Sequence, residues 1–570
     1  MMFWNKQPKG LGGILAALLV MLCFCCTALP HNPAQNLPTS TARQQANLPS
    51  PNPTSVEDIH SALPTPQTLA PCLIAENPLP GELSEAIERF NGKPCEEQAS
   101  HWRISLGREK GQLISTWVYA LVVPFPTVLD GLSRAAFLAF WQEGKSENFK
   151  VLGMSQETYA VLAAFLGKPK ADVQVKPANM LEEWAWQQAN VLAILPFEEL
   201  NPRWKVLSIE GQSPIHKDFS ENRYLLAVHY QLLAPQMAKV DVPLAGLSEK
   251  IPSTNRDSKK LANLIMTGVT ALSRATAFAM EKEGLAAPAA VIGPKLRTAD
   301  LTHVSNEVSF TEECPKPSDE HESLLLCSKP IYISVLDAIG TDLVELTGDH
   351  LLDYGSKAFL NTLALYEAKG WQSYGGGASL ALAQKPALFE VNGNKLAFLG
   401  CNGKHVGYQM AGPQQPGPLD CDIDWLVGEV GRLKNEGYLP IVTFQHMELS
   451  SWYPIERMQR EFKEVAEAGA VIVSGSQAHR PQTMTFVGAE GMSFLHYGLG
   501  NLFFDQYSMN DDYDKAFIDE HIFYDGRYIS TQLLTIQFQD SLTPFWATKE
   551  VRAQMLNFAF WTSGMVPSPW

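Results

Sequence analysis

Five short apolar runs constrain the fold of this chain more than any other feature: LIMTGV (264–269), DLVELTG (342–348), KLAFLGC (395–401), LPIVTFQH (439–446) and AVIVSGS (470–476). They are compact and bounded by polar loops, as buried strands are. Between them lie amphipathic stretches such as 454–468, where Ile455, Met458, Phe462 and Val465 recur at helical spacing. Strands alternating with helices predict a layered α/β sandwich over a second region, 262–570.

A first region, 71–240, has the same grammar. TWVYALVVPF (116–125) reads as its clearest strand, and SRAAFLAFWQEG and SQETYAVLAAFLG as helices, the latter with Ser155 as N-cap. MLEEWAWQQA continues as a helix and NVLAILPFEEL as a buried strand, so this region too is α/β. The glycine-rich YGGGAS at 374 lacks the Lys and Ser/Thr of a phosphate loop and reads as a turn.

Ahead of both regions, Lys6 and Lys9 precede an uncharged stretch from Leu11 to Leu29. That pattern predicts a signal peptide or N-terminal membrane anchor over 1–29, and hence an exported, membrane-tethered protein. Cys23, Cys25 and Cys26 raise the alternative of a lipoprotein anchor. The proline-rich, nearly uncharged segment 30–70 cannot bury a core and reads as an extended linker.

Six cysteines remain: Cys72, Cys95, Cys314, Cys327, Cys401 and Cys421. An even number in an exported chain favours disulfides. Of the fifteen pairings possible, the short-range pairs 72 with 95, 314 with 327 and 401 with 421 would each staple a local loop, and the absence of a CxxC among these six gives no support for zinc. With 44 basic against 60 acidic residues and no basic run, the chain is not expected to bind nucleic acid.

The chemistry is expected where strands end, because loops at the C-terminal ends of α/β strands converge on one crevice. DLVELTG leads to Asp349 and His350, LPIVTFQ to His446 and AVIVSGS to His479, while ADLTHVSNEVSF groups His303, Asn306 and Glu307. Imidazoles with carboxylate or amide oxygens are the donors that Zn, Mn or Fe accept in an open site. Asn306, Glu307, Asp349, His350, His446 and His479 are therefore the candidate metal ligands, with His350 and His479 as candidate catalytic groups. His216, His229, His321 and His521 read as structural, and His405 and His496 stay open. Neither HExxH nor GxSxG occurs, which leaves zinc-protease and serine-hydrolase chemistry without a motif.

These segments, in this order, resemble the CapA family of capsule-synthesis proteins, named for poly-gamma-glutamate capsules, whose domain is similar to calcineurin-like metallophosphoesterases. ADLTHVSNEVSF resembles its Asn-Glu segment, VELTGDHLLDYG its Asn-Asn-His and Leu-Asp-Tyr-Gly segment, and VTFQHMEL its histidine strand. VSGSQAHRPQ resembles its Gly-His-x-x-His loop and HYGLGNLFFDQ its closing Leu-Gly-Asn segment. The resemblance implies an α/β/β/α metallophosphoesterase-like sandwich, a divalent metal, and a surface polymer or small anionic ligand as partner. Two positions depart from the pattern. Val269 stands where the family has an aspartate after glycine, and Ser476 where it has the first histidine of the loop. The implied activity is a metal-dependent hydrolase, phosphoesterase-like or acting on amide or polymer bonds, with an eroded two-metal site. A non-catalytic binding protein for an anionic polymer, sugar or small solute is the competing reading. The first region resembles periplasmic solute-binding domains in LVVPFPTVLDGLS and in NVLAILPFEELNPRWKVLSIEGQSPIHKDF.

Overall fold

The first region is built on the long strand β3 (Gln112–Pro124), from Ser115 to Val123 an unbroken buried run. Its sheet contains β1 (Leu73–Ala75), β2 (Trp102–Leu106), β3, β4 (Val151–Met154), β5 (Asp172–Val175), β6 (Val191–Pro196) and β7 (Ala227–Leu233), in the spatial order 1-2-7-3-6-4-5. The β6, β4 and β5 strands run parallel, as expected where helices return the chain across the sheet. Those helices are the expected ones: Arg134–Glu143, Gln156–Leu166 capped by Ser155, and Ala178–Trp186. This computed structural model describes residues 72–92, 95, 102–234, 247, 249–319, 324–405, 409–507 and 512–565. The expected anchor 1–29, the linker 30–70 and His321 lie outside the described residues.

The second region is a four-layer sandwich. Its first sheet holds β8 (Leu261–Thr270), β9 (Leu301–Asn306), β10 (Leu343–Glu345) and β11 (Gln372–Tyr374), parallel and adjacent. The second holds β12 (Asn394–Asn402), β13 (Leu439–Gln445), β14 (Ile472–Ser474) and β15 (Ser493–His496), also parallel and adjacent. On the edge of β8 away from β9, a short strand, β16 (Asn501–Phe503), pairs with its C-terminal end, and the hairpin β17 (Lys515–Tyr524) and β18 (Arg527–Phe538) extends the first sheet beside the rest.

Side-chain alternation builds the layers, because successive residues of a strand face opposite sides of its sheet. Leu264 and Met266 of β8 join Leu396 and Phe398 of β12, Ile441 of β13 and Ile472 of β14 in one core between the sheets. Their neighbours point outward. Ile265 packs with helices α1 (Arg274–Glu283) and α2 (Gly355–Lys369). Ala397, Leu399, Val442, Phe444 and Val473 pack with α3 (Ile423–Asn435) and α4 (Glu456–Ala468). Both faces of every central strand are covered, so the runs had to be apolar throughout. The fold is the α/β/β/α sandwich expected for this region, beside an α/β first region.

Two details differ from expectation. The α4 helix starts at Glu456, and Ile455 becomes its partly exposed N-cap rather than part of the buried stripe. Gly376 and Gly377, expected as a turn, pair with Gly417–Pro418. A Cβ at Gly377 would stand 2.6 Å from a backbone nitrogen, so the glycines serve close packing of backbone on backbone. The cysteines are bonded as 72–95, 314–327 and 401–421, with Cα separations of 6.0, 5.7 and 5.0 Å. Among the described residues, no helix is long and apolar enough to cross a membrane.

Candidate metal centre at the strand ends

The C-terminal ends of the parallel strands of both sheets meet in one crevice. Glu307 follows β9 directly, and its N–H donates to the Thr270 carbonyl of β8 at 3.0 Å. Asp349 and His350 follow β10 through Gly348. A Cβ there would lie 2.7 Å from the Glu307 Cα, so only glycine lets the two segments lie together. Lys404 follows β12, Gln445 ends β13 with Glu448 just beyond it, and His479 lies in the loop after β14.

Five of these side chains form two donor groups that share one member. Glu307 with Asp349 and His350 has donor atoms within 4.8 Å of one another, and so has Glu307 with Glu448 and His479. Glu307 is 1% exposed, and neither of its carboxylate oxygens has a hydrogen-bond partner among the described residues. Burial pushes its carboxyl pKa up, while His479 and His350 pull it back down. A buried carboxylate without partners is costly unless a cation or a proton completes it.

Both histidines are oriented from behind. His350 Nδ1 lies 2.7 Å from Asp353 Oδ2, and His479 Nδ1 lies 2.9 Å from Asn501 Oδ1. With Nδ1 occupied in each ring, Nε2 is the nitrogen left for the crevice, the arrangement metal-binding histidines use. His479 Nε2 stands 3.6 Å from Glu448 Oε2. Burial alone would lower the His350 pKa, but the Asp353 hydrogen bond and the charges of Glu307 and Asp349 raise it to about 9.

A fixed ammonium joins the two groups. Lys404 Nζ donates to Asp349 Oδ2 at 2.9 Å and to Glu448 Oε1. Burial disfavours its charge, yet Asp349, Glu448 and Glu307 together hold its pKa above the ordinary lysine value. In return, Lys404 helps keep the Asp349 and Glu448 carboxyls below their usual range against the upward push of burial.

Asn306, next to Glu307, is held by its amide nitrogen, which donates to the Val308 carbonyl at 2.6 Å and the Tyr366 hydroxyl at 2.7 Å, while its Oδ1 is buried without a hydrogen-bond partner among the described residues. His446 directs Nε2 to Glu461 Oε2 of α4 at 3.0 Å, its ring beside Phe444 and Phe462. Its neighbour Gln445 reaches the crevice instead, donating to Asp349 Oδ1 at 2.7 Å; strand alternation sends the two side chains to opposite faces. His216, His229 and His521 are hydrogen-bonded within the fold. His405 contacts Asp420, and His496 contacts Asp519. Neither belongs to a donor group.

Residues 263–506 match the family described as bacterial capsule synthesis protein PGA_cap. This is the family resemblance read in the sequence. The capsule biosynthesis protein CapA of Bacillus anthracis is 23% identical over 276 residues, 48% of this chain and 66% of that relative. The chain thus spans just under two thirds of the relative's length. Among solved structures, a 5'-nucleotidase precursor from Thermus thermophilus is similar at a TM-score of 0.32 and 11% identity, over 53% of this chain and 59% of that one. An ABC-type phosphate transport receptor from Vibrio cholerae is similar at a TM-score of 0.21 and 11% identity, over 26% and 71% of the two chains.

The two departures from the capsule-family pattern each have a structural setting. Val269 is fully buried in an apolar cluster with Ala271, Val308, Leu326 and Phe504. Ser476 donates to Glu345 Oε2, and Glu345 also accepts from Thr347 Oγ1 at 2.7 Å. Ser476 therefore ties the loop to a carboxylate buried behind the crevice. Sequence reasoning missed Lys404, Glu448, Asp353 and Asn501. The last three lie inside segments that already carried the resemblance, whereas Lys404 lies in a loop with no motif of its own.

Proposed function

We propose that this is an extracytoplasmic, membrane-tethered protein of surface-polymer metabolism, of the capsule or poly-gamma-glutamate type, and that its second region is a metal-dependent hydrolase. The observation that carries this reading is Glu307, a buried carboxylate without hydrogen-bond partners among the described residues that two donor groups share. The donor set of carboxylates and imidazoles suits Zn, Mn or Fe. In this reading the chain comprises an anchor, a linker, an α/β solute-binding-like domain at 71–240 and the hydrolase domain at 262–570.

Glu307, Glu448 and His479 would hold the ion, which would supply Lewis-acid polarisation and an acidified water. Asn501 keeps His479 turned with Nε2 forward. His350, held by Asp353, is the proton donor to the leaving group, and Gln445 and Lys404 fix Asp349 beside it. A non-catalytic binding protein for an anionic polymer, sugar or small solute is the second reading, favoured by the two donors missing at Val269 and Ser476.

Metal analysis after reconstitution, paired with an assay of poly-gamma-glutamate cleavage, separates them. The hydrolase reading expects bound metal and cleavage, both lost in Glu307→Gln. Polymer binding without metal or cleavage would establish the second reading instead.

A further inference from the structure

Lys404 is held more firmly than a surface lysine. Its side chain is 10% exposed, and its ammonium contacts one carboxylate from each donor group, Asp349 and Glu448. Its backbone N–H donates to Asn402 Oδ1 at 2.8 Å. Asn402 in turn donates to the Thr347 carbonyl at 2.7 Å and to Gln445 Oε1 at 2.6 Å, and Gln445 holds Asp349. The Cys401–Cys421 disulfide anchors the same loop. A flexible side chain is thus locked into one position by a closed hydrogen-bond circuit.

We infer that Lys404 acts as a built-in cation that limits this centre to a single divalent ion, although two donor groups are present. This inference rests on the metal reading of the preceding section. Two kinds of observation support it. First, Lys404 bonds an oxygen of Asp349 and an oxygen of Glu448, the carboxylates that distinguish one group from the other. Asp349 has both oxygens engaged, Oδ2 by Lys404 and Oδ1 by Gln445, whereas Glu448 keeps Oε2 turned to His479, so an ion in the Glu448 group leaves Lys404 in place and a second ion in the Asp349 group competes with it. Second, the charges balance. The His350–Asp353 ion pair is neutral as a unit, and the remaining carboxylates, Glu307, Asp349 and Glu448, carry three negative charges, which one divalent ion and the ammonium neutralise. A second ion would leave a surplus of positive charge in a largely buried crevice, where uncompensated charge is expensive.

The test is metal stoichiometry in the full-length protein, stripped with chelator, reconstituted with Mn²⁺ or Zn²⁺, desalted and measured by mass spectrometry of the elements. The wild type is expected to retain about one ion per chain, and Lys404→Met about two, the arrangement in which a shared carboxylate bridges a metal pair. Lys404→Gln keeps an amide donor to the carboxylates without the charge. It is the second variant should Lys404→Met fail to fold by circular dichroism, and it too is expected to hold about two ions. Lys404→Arg, which keeps the charge, is expected to stay at about one.

Two ions in the wild type, or one in both neutral variants, would overturn the role of Lys404 while leaving the metal reading standing. No metal in the wild type would overturn both.

Discussion

At the scale of single residues, the crevice depends on groups that touch no substrate. Asn501 accepts from His479 Nδ1 in the proposed ligand tautomer and also donates to the His479 carbonyl at 3.1 Å. Asn501→Ala frees the ring to turn, and we expect about 10- to 100-fold weaker metal binding, read by competition with a chromophoric chelator. Asp353 does the same for His350 and is itself held by the Leu326 N–H at 2.8 Å. Asp353→Asn is therefore expected to lower turnover about 10- to 100-fold with metal content unchanged, in the polymer-cleavage assay. The sequence reading reached Glu307, Asp349, His350 and His479 because residue type and strand-end position were both visible. His446 turns to Glu461 of α4 while Gln445 reaches the crevice, because a shift of one position along a strand reverses the face. That reading had no access to Lys404, because a lysine in a loop looks like any solvated charge until the fold brings two carboxylates to it.

At the scale of elements, the loop from Cys401 to Cys421 is the part whose geometry the site needs most, since Lys404 rides on it. Breaking its disulfide in a Cys401→Ala, Cys421→Ala double variant should cost about 2 to 4 kcal/mol of stability, measured by urea denaturation of oxidised wild type against the variant. The central strands were legible from composition because they are buried on both faces, and the helices from apolar spacing and caps such as Ser155. Pairing across the two sheets was not, since one apolar strand looks much like another until register and layer are set by packing. The glycines at the strand ends were visible as letters, but not as points of backbone contact. A Cβ at Gly475 would stand 1.9 Å from the Tyr497 carbonyl oxygen.

At the scale of the whole molecule, the two regions share their cores. Phe125, which follows β3, sits against Phe486, Phe494 and Phe560 at ring-centroid distances of 5.0, 5.4 and 5.9 Å. In the other direction Ile522, Tyr524 and Ile529 of the β17–β18 hairpin enter the core of the first region, where Tyr524 meets Phe197 edge-on at 4.8 Å. Phe125→Ala should cost about 3 to 5 kcal/mol, seen as a lowered melting temperature in calorimetry. Acid should weaken the same assembly from within. Burial lowers the pKa of His303 to about 3 and of His521 to about 4, so both are neutral in the folded state near neutral pH. Unfolding then takes up protons below their ordinary value of 6.5. Their contribution is fully present above pH 6.5 and is lost as pH falls toward 4 and then 3, at roughly 1 to 3 kcal/mol per pH unit for the pair. Urea titrations across that range should show this slope, shallower in His521→Gln.

The exchange of side chains between the regions also bears on where the chain can be divided. A cut near residue 240 would leave the first piece without Ile522, Tyr524 and Ile529 and the second without Phe125. Each piece would expose the socket that the other fills. Co-expressed, the two pieces should find one another and rebuild the intact molecule, as halves of a split protein do.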